Sequence, residues 1–164
     1  MSESIRFPSE EFPSWPVIAL ALPEHWSGVQ VASTLMAARR AVPEGQFMSN
    51  VIVRAQRVGG DVDLEAAAKV VDDGVAQLEE VEHIGRWLIE TDGRQAYARE
   101  FAYRNPQVGT VGQAWRIFVV EHDGVVDLVE LVGTVSAART GDLAEVRAIM
   151  DSVEICDAVP AGRI

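Results

Sequence analysis

The chain has 164 residues, 48% of them hydrophobic, and a formal net charge of −11 at pH 7. This length and composition are typical of one globular domain with a core of its own, rather than of a disordered chain. An acidic surface repels phosphate groups, so nucleic acid is not expected as a partner. No run of about 18 apolar residues occurs, so the sequence predicts no membrane span.

The cysteine content and the first residues of the chain predict where in the cell the protein is located. Cys156 is the only cysteine, which excludes a disulfide within the chain. The first residues contain neither the basic nor the apolar segment of a secretory leader, so we predict a cytoplasmic protein. Every basic residue except Lys69 is an arginine, a bias typical of GC-rich genomes such as those of actinobacteria.

The first 40 residues predict short strands. Residues 1–16 contain three prolines and predict an irregular lead-in, with at most one short strand at Ile5–Phe7. The apolar run Val17–Leu22 is consistent with a strand. Two interpretations remain open for the next apolar segment, which is either a strand over Val29–Ala38 or a helix over Gln30–Arg40.

A strand and a helix follow. Apolar residues alternate along Ser49–Val58, which indicates a strand. Asp63 is a suitable N-cap for a helix that begins at Leu64, because its carboxylate can accept from free backbone N–H groups. Apolar residues recur at helical spacing and predict a buried stripe that includes Val71, Val75 and Leu78.

Two hairpins carry the strongest local signals. Asp92-Gly93 and Asp123-Gly124 each separate two alternating segments, and an Asp-Gly pair favours a type I′ turn. A second helix is predicted from Asp142, with Glu145 completing a capping box, followed by a short strand at Ser152–Ile155.

This order of elements predicts the fold class. Strands, a helix, four meandering strands and a second helix make an α+β fold, with an antiparallel sheet flanked by helices. We predict one domain over residues 17–157, after the lead-in of residues 1–16 and before a C-terminal tail of residues 158–164.

The sequence contains no pattern that indicates catalysis. No nucleophile elbow, dinucleotide fingerprint or phosphate loop occurs, so we predict no catalytic residue and no cofactor. The three histidines are His25, His83 and His122, and their spacing does not suit metal ligation, so no metal site is predicted.

One alternating stripe is the candidate binding surface. Tyr97, Arg99 and Tyr103 share a face of the strand after Asp92-Gly93, while small alanines on the other face would let a helix approach closely. Tyrosine and arginine are favoured in recognition surfaces, so these three are the predicted binding residues. The alternative is that the aromatic rings pack as core and the arginine stem extends outward.

Several segments in this order resemble one protein family. They are Leu22–Trp26, Phe47–Val51, the helix from Leu64, Asp92–Tyr97, Gln113–Val132 and Ile149–Ile155. Together the chain resembles the LpqN/LpqT group of actinobacterial proteins, within the PsbP-like fold that also includes the DcrB-like proteins. The resemblance implies an antiparallel sheet flanked by helices. Members of this family are mostly binding or accessory proteins without a shared catalytic site, and many are exported lipoproteins, whereas this sequence has no lipobox cysteine.

The predicted function is therefore non-enzymatic binding. The leading hypothesis is an adaptor or chaperone for a protein partner, linked to secretion as some proteins of the wider fold are. The alternative is a carrier of a small molecule or lipid, with a pocket between sheet and helix.

Overall fold

A computed structural model describes residues 2–157, and the predicted tail of residues 158–164 lies outside them. Seven strands form one antiparallel sheet in the order β2-β3-β4-β8-β7-β6-β5, and β1 pairs with β9 in a separate two-stranded sheet. The strands are β1 (Val17–Ala19), β2 (Trp26–Val29), β3 (Met36–Arg40), β4 (Asn50–Val58), β5 (Glu82–Thr91), β6 (Arg94–Asn105), β7 (Gly109–His122), β8 (Val125–Ser136) and β9 (Glu154–Cys156). The helices are α1 (Leu64–Val75) and α2 (Asp142–Asp151). The predicted α+β class with an antiparallel sheet is confirmed, while the domain boundaries stay a prediction.

Both Asp-Gly pairs lie at hairpin tips, as the sequence predicted. Asp92 and Gly93 have φ values of 54° and 70°, and Asp123 and Gly124 have values of 48° and 81°. Positive φ at both central residues is the requirement of a type I′ turn. These two turns fix the register of the β5-β6 and β7-β8 pairs. Thr91 lies opposite Arg94 in the first pair, and His122 lies opposite Val125 in the second.

Two expectations for the first 40 residues were wrong, and a third was right only in part. Val29–Ala38 is neither one strand nor a helix, because β2 ends at Val29 and β3 begins only at Met36. The chain turns between them, with Ser33 at a φ of 65°. The predicted short strand at Ile5–Phe7 is absent from the described residues, and Val17–Leu22 is a strand only over Val17–Ala19.

The two helices lie on opposite faces of the sheet. Residues that pair directly across antiparallel strands share a face, so the register assigns each side chain to one helix. On the α2 face, Val146, Ile149 and Met150 belong to the larger core, together with sheet residues such as Phe118 and Leu131. On the α1 face, a second cluster joins Ala67, Val71 and Val75 to Tyr97, Phe101 and Ile117.

The predicted capping box of α2 does not form. Gly141 is the N-cap residue and makes no side-chain cap. The carboxylate of Asp142 instead accepts from Ser49 Oγ at 2.7 Å and from Arg139 Nε at 2.7 Å. Burial alone would raise the pKa of Asp142. The hydrogen bonds from Arg139 and Ser49 lower it by more, so the net pKa is below its ordinary value. Glu145 accepts from Arg40 Nε at 2.7 Å. Both acidic residues therefore attach α2 to the sheet rather than cap the helix.

Helix α2 lies very close to the backbone of β8 at Gly133. A Cβ placed on Gly133 would lie 2.2 Å from Val146 Cγ1 and 3.3 Å from Met150 Cε. Real Cβ atoms are not found at the first of these distances, so the helix rests directly on the backbone of β8. The absence of a side chain at this position sets the height of α2 above the sheet.

A buried polar network holds the lead-in against the sheet. Asp127 is fully buried and accepts from Arg57 Nε at 2.8 Å and from Arg57 Nη2 at 3.0 Å. His122 Nε2 lies 2.6 Å from Asp127 Oδ2. The same guanidinium donates to the carbonyl of Pro13 and lies 4.9 Å from the ring centre of Trp15. Residues before β1 are therefore attached to the sheet through one arginine.

Candidate functional site

The candidate site is a groove where α1 passes over the edge of the sheet formed by β5 and β6. It has a volume of about 610 Å³. Its apolar lining comes from Leu64 and Ala68 of α1, Leu88 of β5 and Tyr97 of β6. Leu88 is 65% exposed, so the groove opens to solvent on the side of β5. The polar lining comes from Asp63, Glu65, Arg86 and Gln95.

Helix α1 forms and packs largely as the sequence predicted. Asp63 Oδ1 accepts from the backbone N–H of Ala66 at 2.8 Å, which confirms the N-cap. Val71 and Val75 are buried against the sheet. Leu78 lies beyond the last helical residue and is half-buried against the same cluster. The apolar stripe of α1 packs on β6 and β7, which leaves the first turn of the helix facing β5. The space between this first turn and β5 is the groove.

A carboxylate of α1 gathers three side chains of the hairpin. The hydroxyl of Tyr97 donates to Asp72 Oδ1 at 2.6 Å. Arg99 Nε lies 3.2 Å from the same oxygen, and Arg86 Nη1 lies 3.5 Å from Asp72 Oδ2. Burial and the hydrogen bond to Asp72 raise the pKa of Tyr97 to about 12. The Asp72 cluster, defined as Asp72, Arg86, Tyr97 and Arg99, therefore fixes α1 against the hairpin.

We expect this raised pKa to appear as an alkaline loss of stability. In the unfolded chain tyrosine ionises near the ordinary value of 10.0, whereas folded Tyr97 stays protonated to about 12. Stability supplied by the neutral hydroxyl is complete below pH 10 and is lost as the pH rises through this window. Urea unfolding at pH 9, 10 and 11 should show a smaller decline for Tyr97→Phe than for the natural chain. Asp72→Asn should give an intermediate slope, because burial remains. Equal slopes for all three proteins would contradict the assignment.

Arg99 fixes the shape of the edge strand. Its side chain is buried, and Nη1 donates to the carbonyl of Gly85 at 3.1 Å and to that of Glu100 at 3.3 Å. Nη2 contacts His83 Nδ1. The register of β5 on β6 shifts between His83 and Gly85, which leaves Ile84 as an extra residue in the strand. The guanidinium therefore supports a β-bulge, and a smaller pocket of about 370 Å³ adjoins it.

The three predicted binding residues do not share an open face. Tyr97 and Arg99 lie together beneath α1 and are 6% and 5% exposed. Tyr103 is half-buried, packs against Phe101 with ring centres 5.9 Å apart, and does not line the groove. The predicted alanine face does lie beneath a helix, because Ala96 belongs to the core that contains α2. The role of all three residues in binding stays a prediction.

Sequence reasoning missed the residues that open the site to solvent, namely Arg86 and Leu88. The type I′ turn at Asp92-Gly93 contained a signal for them, because counting outward from a two-residue turn sets Leu88 opposite Tyr97 and Arg86 opposite Arg99. Asp72 could not be found in this way, since its place depends on how α1 docks.

Strand β5 is one of the two edges of the seven-stranded sheet. It has ten residues and pairs only with β6 among the described residues. Three of its large apolar side chains are exposed, Ile84 at 49%, Trp87 at 45% and Leu88 at 65%. Trp87 and Leu88 point to opposite faces of the sheet, because successive strand residues alternate. The edge is therefore long, open and apolar on both faces.

Two kinds of feature are absent from the part of the chain that the structure describes. Residues 2–157 contain no group of three or more His, Cys, Asp and Glu side chains arranged to hold a metal ion. None of the helices in that range has the length and apolar character needed to cross a membrane. The predicted cytoplasmic location stays a prediction.

Solved structures with the same architecture identify the fold. LpqN of Mycobacterium tuberculosis has a TM-score of 0.77 and 16% sequence identity, and the match covers 88% of this chain and 85% of LpqN. The PsbP protein of the cyanobacterium Synechocystis has a TM-score of 0.59 and 14% identity, over 84% of this chain and 86% of that chain. This chain has the PsbP-like fold. The Ran-binding protein Mog1p of Saccharomyces cerevisiae also matches, with a TM-score of 0.54 and 12% identity over 85% of this chain and 90% of that one.

Comparisons of sequence add no closer relationship. No protein-family model matches the chain, and no curated protein does so either. At 12–16% identity the solved structures establish the PsbP-like fold and nothing about chemistry. The predicted fold is thus confirmed, whereas the predicted family and function need support of another kind.

Proposed function

We propose that this protein is a non-enzymatic binding protein that holds a segment of a partner polypeptide in the groove between α1 and β5. We also propose that it belongs to the LpqN/LpqT family. The observation that carries the first proposal is Leu88, a large apolar side chain 65% exposed on a sheet edge, beside the apolar lining of a groove. Full burial of an exposed leucine is favourable by about 1.5–3 kcal/mol, and a bound segment would gain the share of this that belongs to the 65% still exposed.

The polar residues around the groove support binding rather than chemistry. Arg86 has an exposed side chain and only one distant contact with Asp72, at 3.5 Å, so its donors remain free for a backbone carbonyl. Asp72 itself is engaged by Tyr97 and Arg99, and these contacts make it a structural group. A few polar groups around an apolar groove are typical of a binding site.

The comparisons are compatible with this proposal. One protein with the fold, Mog1p, is described as Ran-binding, and another, LpqN, as involved in cell envelope biogenesis. The TM-score of 0.77 with LpqN over most of both chains supports membership of that family. The same order of segments from Leu22–Trp26 to Ile149–Ile155 supports it from the sequence. A link to secretion rests on this family proposal alone.

Peptide selection tests the groove directly. A phage-displayed library of random peptides would be panned on the protein, and selected peptides would be remeasured on Leu88→Thr. We expect binding to weaken by about ten-fold or more, because the buried area of a leucine is worth at least that factor. Leu35→Thr is the matched control, since Leu35 is 39% exposed but precedes β3, near the other edge of the sheet.

Two outcomes would contradict the polypeptide proposal. One is that no peptide is enriched on the natural chain, and the other is that Leu88→Thr and Leu35→Thr bind the selected peptides equally well. Threonine suits the exposed strand position of Leu88, and Leu35 is a part-exposed residue outside the strands, so both variants should fold, and circular dichroism would confirm it.

A small-molecule or lipid carrier is the second candidate function. The groove volume of about 610 Å³ is within the range of small-ligand sites, which favours it. The exposure of Leu88 leaves one side of the groove open, which suits a polypeptide better. The neutral probe N-phenyl-1-naphthylamine separates the two. Probe fluorescence that depends on Leu88, without any enriched peptide, would favour the carrier.

A further inference from the structure

We infer that the partner segment binds as an extended strand along the free edge of β5, and that it is a basic segment. This inference rests on the proposed function of the groove and adds to it the conformation and the charge of the partner. It starts from the edge strand itself, and then from the charges that surround the strand.

The edge of β5 lacks most of the protection that edge strands usually have. Natural edges are commonly short, or carry lysine, proline or a bulge that prevents pairing. The opposite edge, β2, has only four residues. Strand β5 has ten residues and no proline, and its bulge at Ile84 lies near its start. From Gly85 to Thr91 the strand pairs regularly with β6, so its outer backbone groups form a regular template.

The side chains of β5 offer contacts on both faces to an added strand. Arg86, Leu88 and Glu90 lie on the α1 face, since they pair with Arg99, Tyr97 and Gln95. Trp87 lies on the other face, opposite Ala98, and is 45% exposed. A partner strand would alternate in the same way, placing every second residue beside the groove. Strand addition of this kind draws affinity from the backbone and selectivity from alternate side chains.

The charge around the edge is acidic. Residues 63–90 contain eight acidic residues and two basic ones, and both basic residues, Lys69 and Arg86, lie within 3.5 Å of an aspartate. Glu82 and Glu90 lie on β5 itself, and Glu65 lines the groove. A strand in which lysine or arginine alternates with apolar residues is complementary to this field.

A second copy of the chain fits this edge less well. Each copy has a formal net charge of −11, and residues 63–90 around the edge are themselves acidic, so two copies repel each other as they approach. The overall charge therefore favours a basic partner over self-association.

Synthetic peptides test both parts of the inference. The probe is a fluorescein-labelled nine-residue peptide in which lysine alternates with valine, measured by fluorescence anisotropy. A matched peptide with glutamate in place of lysine should bind about ten-fold or more weakly. Binding of the lysine peptide should weaken with added NaCl and in Glu82→Gln/Glu90→Gln.

Backbone methylation tests the extended pairing. Only alternate N–H groups of an added strand face its neighbour. Two versions of the lysine peptide would carry N-methyl groups on the odd or on the even residues. We expect one version to lose binding and the other to retain it. Leu88→Thr should weaken the parent peptide, whereas Leu35→Thr should not.

The outcomes separate this inference from the proposed function. Equal binding of the lysine and glutamate peptides would overturn the basic partner, and equal binding of both methylated peptides would overturn strand pairing. If library peptides require Leu88 while the lysine peptide does not bind, the groove stands and this inference falls. If neither binds, the proposed function falls as well. A dimer of the chain alone in light scattering, lost in Leu88→Thr, would assign the edge to a second copy and overturn the inference.

Discussion

We expect Gly133→Ala to lower the free energy of unfolding by about 1–3 kcal/mol, the usual cost of overfilling a packed core. The added Cβ would lie 2.2 Å from Val146 Cγ1, so α2 must move away from β8 or Val146 must change its rotamer. The stem of a β-branched side chain cannot swing aside as the end of a long chain can. In a domain of this size the melting temperature should fall by roughly 2–12 °C.

A matched substitution and a rescue make this prediction specific. Gly28 also lies in a strand, but a Cβ there would meet its nearest atom at 3.9 Å, so Gly28→Ala should leave the melting temperature nearly unchanged. Val146→Ala removes the clashing methyl group. The double variant Gly133→Ala/Val146→Ala should therefore lose less free energy of unfolding than the sum of the losses of the two single variants. Additive losses would show that α2 does not rest on Gly133.

The second large effect should come from Asp127→Asn. The fully buried carboxylate joins Arg57 to His122, and its removal leaves the guanidinium of Arg57, whose side chain is 29% exposed, without its counter-charge. Breaking a fully buried ion pair by removing one partner typically costs about 3–5 kcal/mol, and the partial exposure of Arg57 places this loss toward the lower end. The melting temperature should therefore fall by roughly 6–20 °C. Differential scanning calorimetry at pH 7 measures this fall.

The control for this substitution is a surface ion pair. Asp73 lies 2.7 Å from Lys69, but both side chains are largely exposed, so Asp73→Asn should change stability by less than about 1 kcal/mol. A similar loss from both substitutions would show that the Asp127 network contributes no more than a surface pair does.

The same network predicts how stability changes in acid. Burial alone would raise the pKa of Asp127. The hydrogen bonds from Arg57 and His122 lower it by more, so its net pKa is below the ordinary value of 3.8. A depressed pKa supplies stability that is complete above the ordinary value and is lost as the pH falls through the folded value. The difference between the natural chain and Asp127→Asn should therefore be constant above pH 5 and shrink below about pH 4. Asp142 and Glu145 also have lowered pKa values, so both proteins should still lose stability in acid.

The sequence predicted those parts of the fold that depend on local chemistry. Both hairpin tips follow from two adjacent residues, because Asp-Gly adopts positive φ readily at both positions. The N-cap Asp63 and the buried Val71 and Val75 follow from spacing within one helix. None of these features needs information from elsewhere in the chain.

The predictions that failed depended on distant residues or on backbone angles with no sequence signal. Asp142 and Glu145 match a capping box, but their carboxylates bind Ser49, Trp26 and Arg40, which lie far away in the sequence. The turn between β2 and β3 places Ser33 at positive φ, a conformation that serine rarely adopts. Neither a period of two nor a helical period could reveal it.

The candidate site was predictable in part. An alternating stripe does identify Tyr97 and Arg99 as sharing a face, and the structure brings both to Asp72. The stripe cannot show which face of the strand a helix covers, because both faces of this sheet are partly covered. Exposure at Leu88 depends on β5 being the last strand, which is a property of the strand order.

The strand order also determines when the domain can be completed during synthesis on a ribosome. Strands β5 to β8 follow one another and can pair as they emerge, but β4 pairs with β8, with Asn50 opposite Thr134. Strand β1 pairs with β9 and waits still longer, since Val17 lies opposite Cys156. Translation adds about 5–20 residues per second, so β4, which can already pair with β3, remains without β8 for several seconds, and β1 remains without β9 for longer. Throughout that interval Val51 and Val53, both fully buried in the finished sheet, lack the cover of β8 and α2, and the domain can be completed only after residue 156 has been made.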